Sequence, residues 1–307
     1  MISVVVPLYN KEEFITETVR SVLDQTLLDF ELIIVNDGSN DDSLVAVEAF
    51  SDARINIITI ENSGVSIARN TGIKAAKYDW IAFLDSDDWW APTFLEELVN
   101  AAKAYPNYKL FASGRSRVFQ GSTERYEHLY LPKDQATAPV NYYRVISKFR
   151  PLINSSNVII RKYLFESVGY FKEGQKKHED HDLWVRLAVG EEVVFVNKEL
   201  SFYRKTEKGT ASMAQFRAND FCDYLSTMIS VKEKITGEEL GNFKKYYNRY
   251  VVLAYLQHYG EYCKKERKEV FSLIEQLLEG RSLQIARVIK ILPLRRAYPM
   301  YKKMTGR

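Results

Sequence analysis

The stretch "DWIAFLDSDDWW", Asp79 to Trp90, decides how the chain is read. Trp80 to Leu84 is apolar, as in a strand buried on both faces, and it runs straight into Asp85, Asp87 and Asp88. Like charges crowded at the end of a buried strand repel one another and lose hydration. A turn or a helix cap needs one such side chain, and this stretch supplies three. An Asp-x-Asp pair suits a hard divalent cation with oxygen ligands, Mg²⁺ or Mn²⁺, which keeps waters and also binds substrate phosphates.

On either side the pattern alternates. Ile2–Leu8 and Phe30–Val35 read as further buried strands, and Ile55–Ile60 as another strand. Ile15, Val19 and Val22 mark one face of a helix, and Asp41–Phe50, Ser63–Ala76 and Pro92–Tyr105 read as helices. Short strands alternating with helices imply an α/β fold: a mostly parallel, Rossmann-like central sheet with helices on both faces. After about residue 110 the alternation weakens. Strands are expected at 110–119, 155–160, 193–196 and 200–204, and helices at 161–168 and 180–189, the latter closed by Gly190. From about Gln215 the pattern is helical and rich in Tyr and Lys. The expected organisation is an α/β domain over 1–210 and a helical region over 211–307.

In open parallel sheets, ligands bind beyond the carboxyl ends of the strands. Three polar clusters fall there: Tyr9-Asn10, Asp37-Gly38-Ser39 and Asp85 to Asp88. The first strand is followed by Tyr9-Asn10-Lys11, not by a glycine fingerprint, and no G-x-x-x-x-G-K-[ST] occurs. This argues against a nicotinamide site and excludes a P-loop, leaving a nucleoside diphosphate held through a metal. His178-Glu179-Asp180-His181-Asp182 opens the later helix. Acids favour a helix N-terminus, and the same cluster could supply a general base. A metal pair from His178 and His181 is the weaker reading, because zinc helices usually place their histidines four apart.

The chain has 307 residues, 46% hydrophobic and 27% charged, with a net charge of +3. Arg281 to Arg307 holds eight Lys/Arg and no acid, so the other 280 residues sum to −5. Ile285, Val288, Ile289 and Leu292 form a helical stripe in this basic tail. It reads as a helix packed on the domain or as an interfacial helix on an anionic membrane. No nucleic-acid motif accompanies the charge. Cys222 and Cys263 fit no metal or redox spacing and suggest a reducing compartment. The first residues lack a signal-peptide pattern, and no stretch approaches the roughly 18 apolar residues of a spanning helix. The expected location is cytoplasmic, peripheral on the inner face of the cell membrane if the tail binds lipid.

Assembled, the stretches ISVVVPLYNKEEFI, ELIIVNDGSNDDS, NSGVSIARNTGI, FLDSDDWWAP and HEDHDLWVRL resemble family 2 of the glycosyltransferases, with the GT-A fold. The resemblance covers residues 1 to about 210. It implies that Pro7 and Tyr9 line the pocket of the nucleotide base, that Asp37 hydrogen-bonds the base, and that Arg69 sits beside Asp37 and the nucleotide. It implies Asp85, with Ser86, on the ribose or diphosphate side and Asp87 as the metal ligand, with Asp88 orienting neighbours. Asp180 would be the catalytic base, Glu179 and Trp184 would shape the acceptor site, and Arg204 would approach the diphosphate from a flexible loop. Processive members carry Q-x-x-R-W where this chain has Leu183 to Leu187, which argues against a membrane-spanning polymerase.

The implied activity is metal-dependent (Mn²⁺ or Mg²⁺), inverting transfer from a UDP-linked hexose or N-acetylhexosamine. The implied acceptor is a hydroxyl of a glycan or lipid-linked molecule, in surface polysaccharide biosynthesis. A nucleotidyltransferase with a similar metal site is the first competing reading; the HEDHD cluster argues against it. A catalytically silent nucleotide-sugar-binding scaffold is the second; the intact Asp85, Asp87 and Asp180 argue against that.

Overall fold

The computed structural model describes residues 1–148, 151–205 and 217–291. Strands β1 (Ile2–Leu8), β2 (Phe30–Asp37), β3 (Ile55–Ile60) and β4 (Trp80–Phe83) form a parallel set in the order β3-β2-β1-β4. Their alternate side chains feed two cores. Ile2, Val4, Val6 and Leu8 pack under α1 (Ile15–Leu23), α2 (Ser43–Glu48) and α4 (Phe94–Ala104). Val5, Val35, Ile81 and Phe83 face α3 (Val65–Ala75), α6 (Tyr163–Val168) and α7 (Glu179–Leu187). The expected sheet with helices on both faces is the one observed.

Pro7 sits inside β1 without damaging it. Val5 turns its carbonyl to the N–H of Leu84 at 3.2 Å. In a parallel strand, peptide groups two residues apart face the same neighbour, so Pro7 faces the side that β4 has already left. Its missing N–H is therefore not needed for the ladder.

The second half of the sheet is mixed. β9 (Val158–Arg161) lies antiparallel between β4 and β6 (Leu110–Phe119), and β10 (Val193–Arg204) runs parallel to β6. Short strands β5 (Trp89–Trp90), β7 (Ser122–Arg125) and β8 (Thr137–Val140) pair at the margins. The two strands expected at 193–196 and 200–204 are one strand with irregular register between Val196 and Ser201. Gly114 lies opposite this bulge, where a Cβ would stand 2.5 Å from the Lys198 carbonyl oxygen.

A short helix, α5 (Tyr142–Ile146), precedes β9. The helical region comprises α8 (Ala218–Lys234), α9 (Gly237–His258), α10 (Lys264–Leu277) and α11 (Gly280–Ile291). Its buried Tyr224, Leu225, Phe243 and Tyr247 belong to the same apolar cluster as Phe83 and Trp184. One continuous core thus runs from the sheet into these helices.

Candidate active site

The carboxyl ends of β1, β2 and β4 deliver Tyr9 to Lys11, Asp37 and Asp85 to Asp88 to one edge of the sheet. Tyr9 is 44% exposed there, while Pro7 beneath it is buried. Asp37 is buried and accepts two backbone N–H groups, from Ser63 at 2.7 Å and Gly64 at 2.8 Å. It thereby fixes the loop that starts α3. Gly64 has φ +93°, a left-handed conformation that glycine adopts without strain.

The three acids after β4 have separate partners. Asp85 Oδ1 accepts from Arg69 at 2.8 Å. Asp87 Oδ2 accepts from the Lys11 ammonium at 2.6 Å. Asp88 is buried, and its carboxyl accepts from the Ser156 hydroxyl at 2.5 Å and the Arg204 N–H at 2.9 Å. Burial first, then the charges of Asp85 and Asp87, raise the Asp88 pKa well above the usual carboxylate range. Asp88 is therefore a buried joint between the acidic loop, the turn before β9 and the end of β10. Thr18 completes that joint, donating to the carbonyls of Ser86 at 3.1 Å and Asp88 at 2.7 Å.

Arg69, buried on α3, also donates to Glu179 Oε1 at 3.2 Å. Its ionic partners are Asp85 and Glu179, whereas Asp37, expected beside it, is engaged by the loop amides. Burial disfavours the guanidinium charge, but Asp85 and Glu179 outweigh that and raise its pKa. At the first turn of α7, burial and then Asp180 push Glu179 up to about 7, against the pull of Arg69. Burial would raise Asp180 too, but the His181 ring, Arg69 and the His181 N–H at 2.7 Å outweigh it and leave its pKa below the ordinary value. The two neighbouring carboxyls are thus driven apart: one holds a proton near neutrality and the other is ionised.

Arg204 ends β10 beside the same loop. It donates to the Asp87 carbonyl at 3.0 Å, pairs with Glu17, and lies 4.5 Å over the Trp89 ring. The expected flexible loop around it is corrected for Arg204 itself, which is the last residue of a strand; residues 206–216 lie outside the described residues. Trp184 corrects an expectation. It has no exposed surface and packs among Phe83 and Phe171, so it reaches the acceptor side only through packing. Lys11 and Ser156 were missed in the sequence. Lys11 stands in a quoted motif with the right charge; nothing local marks Ser156, which is brought in by the fold.

Among the described residues, no three His, Cys, Asp or Glu side chains converge as a metal cage. The donor set is instead one or two carboxylates at an open edge. That fits a Mg²⁺ or Mn²⁺ whose shell is completed by waters and substrate phosphates.

The sequence model for "Glycosyl transferase family 2" matches residues 3–169. The chain belongs to that family. It is a glycosyltransferase, as are its curated relatives. It is 46% identical over 105 residues to EpsJ of Bacillus subtilis (strain 168), an uncharacterized glycosyltransferase; the match covers 34% of this chain and 30% of EpsJ. It is 31% identical over 224 residues to the glycosyltransferase GlyA of Streptococcus pneumoniae serotype 4, covering 69% of this chain and 31% of GlyA. The matches thus span about a third of each of these two relatives. In three dimensions the chain is similar to S. aureus TarS 1–349 in complex with UDP-GlcNAc. The TM-score is 0.76 at 21% identity, over 98% of this chain and 91% of that one. This enzyme therefore shares the fold of TarS, helical region included.

Proposed function

We propose that the enzyme transfers a sugar, with inversion, from a UDP-linked hexose or N-acetylhexosamine to a hydroxyl of a glycan or lipid-linked acceptor. The process served is surface polysaccharide biosynthesis. One observation carries the reading: Arg69 joins Asp85, on the donor edge, to Glu179, the residue before Asp180. A donor contact and an ionised base are thereby held in one assembly. The complex of TarS with UDP-GlcNAc supports the choice of donor.

In this reading Tyr9 and Pro7 line the base pocket, with Asp37 below them holding the loop. Asp85 and Ser86 meet the ribose or diphosphate. Lys11, Arg69 and Arg204 place positive charge where the nucleoside diphosphate departs. Asp180 takes the proton from the acceptor hydroxyl as that oxygen attacks the anomeric carbon from the face opposite the leaving group. The low pKa suffices because the proton moves late, once the oxygen has become acidic. Asp87 would hold the divalent metal, which supplies further charge neutralisation when bound.

The test uses UDP-GlcNAc and UDP as probes. Asp180→Asn should abolish transfer and leave UDP affinity within about twofold of wild type. Asp87→Ala should lose the part of UDP affinity that Mn²⁺ adds, measured by calorimetry with and without the metal. Normal turnover in Asp180→Asn would sink the assignment of the base.

The tail supports a second proposal, peripheral attachment to an anionic membrane surface. Within α11, Ala286 and Ile289 are buried, whereas Ile285, Val288 and Ile291 are 42%, 49% and 79% exposed. The helix thus docks by one edge of its stripe and leaves the other outside. A groove of about 430 Å³ between α9 and α11 has Val252, Leu256, Ile285 and Val288 in its walls, with Lys245 and Arg249. Among the described residues, no helix is long and apolar enough to cross a membrane. Residues 292–307, with the remaining basic positions, lie outside the described residues.

A further inference from the structure

The helical region is more than a cover for the sheet. We propose that Tyr250, on α9, is a positioning residue that holds His178 in the backbone conformation setting the first turn of α7, and with it Glu179 and Asp180. This rests on the transferase reading given above.

His178 is the cap of α7 and has φ +62°, ψ +18°, a left-handed conformation that costs energy for a residue with a Cβ. Its side chain makes no capping bond to α7; its carbonyl accepts the Asp182 N–H at 2.7 Å and so closes the first turn. The side chain points instead into the helical region. Its Nε2 lies 2.6 Å from the Tyr250 hydroxyl. The ring stacks on Tyr224 of α8, with centroids 5.3 Å apart and planes at 20°, and meets Tyr250 edge-on at 5.5 Å. These tyrosines are braced in turn. Tyr246 stacks on Tyr250 at 5.5 Å, and the hydroxyls of Tyr224 and Tyr246 are 2.8 Å apart.

The cage keeps the imidazole neutral. Burial, ahead of every charge nearby, drives the His178 pKa down to about 3. A neutral ring bonds Tyr250 without placing a second fixed cation against the carboxyls that Arg69 already serves. A second grip comes from α8, where the Thr227 hydroxyl donates to the buried Asp182 at 2.5 Å. Asp182 also pairs with Lys172 at 2.9 Å and Arg186 at 2.8 Å. The turn bearing Glu179 and Asp180 is therefore clamped by α3 on one side and by α8 and α9 on the other. Strain at a cap persists only where its surroundings enforce it, and here the enforcing groups lie beyond the catalytic motifs.

Tyr250→Phe removes one oxygen and leaves every ring contact. The full-length variant should show kcat with UDP-GlcNAc reduced about tenfold, because small misplacement of a base is costly. Its KM for donor and its UDP affinity should stay within about twofold. His178→Asn, which tolerates the left-handed conformation, should retain more kcat than His178→Ala. Unchanged kcat in Tyr250→Phe, or a loss that tracks the fall in Tm and raises KM equally, would overturn the proposal. So would equal kcat in the two His178 variants, which decides the matter should Tyr250→Phe fail to fold. A wild type that turns over no nucleotide sugar would instead overturn the transferase reading.

Discussion

Asp85, Asp87 and Asp88 look equivalent in sequence and are not equivalent in space. Asp85 faces Arg69, Asp87 faces Lys11, and Asp88 is buried against Ser156 and a backbone N–H. The local stretch announces that charge is concentrated there; it says nothing of partners that lie 16 to 116 positions away, which the sheet order supplies. Glu179 gives this scale a measurable consequence. Its ordinary value of 4.5 is raised to about 7 in the fold. Between those values the folded protein binds a proton that the unfolded chain does not, so stability falls as pH rises through the window. Linkage puts the effect at about 1–3 kcal/mol. Urea unfolding across that window should show the decline in wild type and a flatter profile in Glu179→Gln; parallel profiles would place the buried proton elsewhere.

At the scale of elements, the first four strands were legible because each is a short run dominated by apolar, largely β-branched or aromatic residues. β10 was not, because Asn197 to Glu199 interrupts the apolar pattern while the backbone continues through a bulge against Gly114. Strands β5, β7 and β8, of two to four residues, are too short to announce themselves. A more demanding fit lies between α3 and β1. A Cβ on Gly72 would stand 2.4 Å from Val5 Cγ1, inside a core with no room to yield. Gly72→Ala should destabilise the enzyme by about 1–3 kcal/mol in urea unfolding. It should also weaken UDP binding, because the helix that must shift carries Arg69. Full stability with normal UDP affinity would show that α3 relaxes freely.

For the whole molecule, the motifs describe about two thirds of the chain, and the structure adds what they leave unread. The tyrosines of the helical region look like generic core in one dimension; folded, they reach the first turn of α7. The apolar stripe of α11 divides into a docked edge and an exposed one, which no helical periodicity distinguishes. Ile285→Asn with Val288→Asn touches only the exposed edge. The wild type should float with vesicles of anionic lipid at low salt and be released at high salt, while the double variant stays in solution. Equal flotation of both proteins would remove α11 from membrane attachment.

Trp89 has a consequence of another kind. Of the four tryptophans, Trp90 and Trp184 are shielded in the core and Trp80 lies under Arg161, away from the acidic loop. Trp89 is half-buried, stacked on Phe202, with the Arg204 guanidinium above it and Asp88 next to it in the chain. A charged group moving toward or away from an indole shifts its emission. The enzyme therefore contains its own optical reporter: titration with UDP should change the intrinsic fluorescence, and Trp89→Phe should silence most of that signal. A response that survives Trp89→Phe would locate the perturbation at another indole.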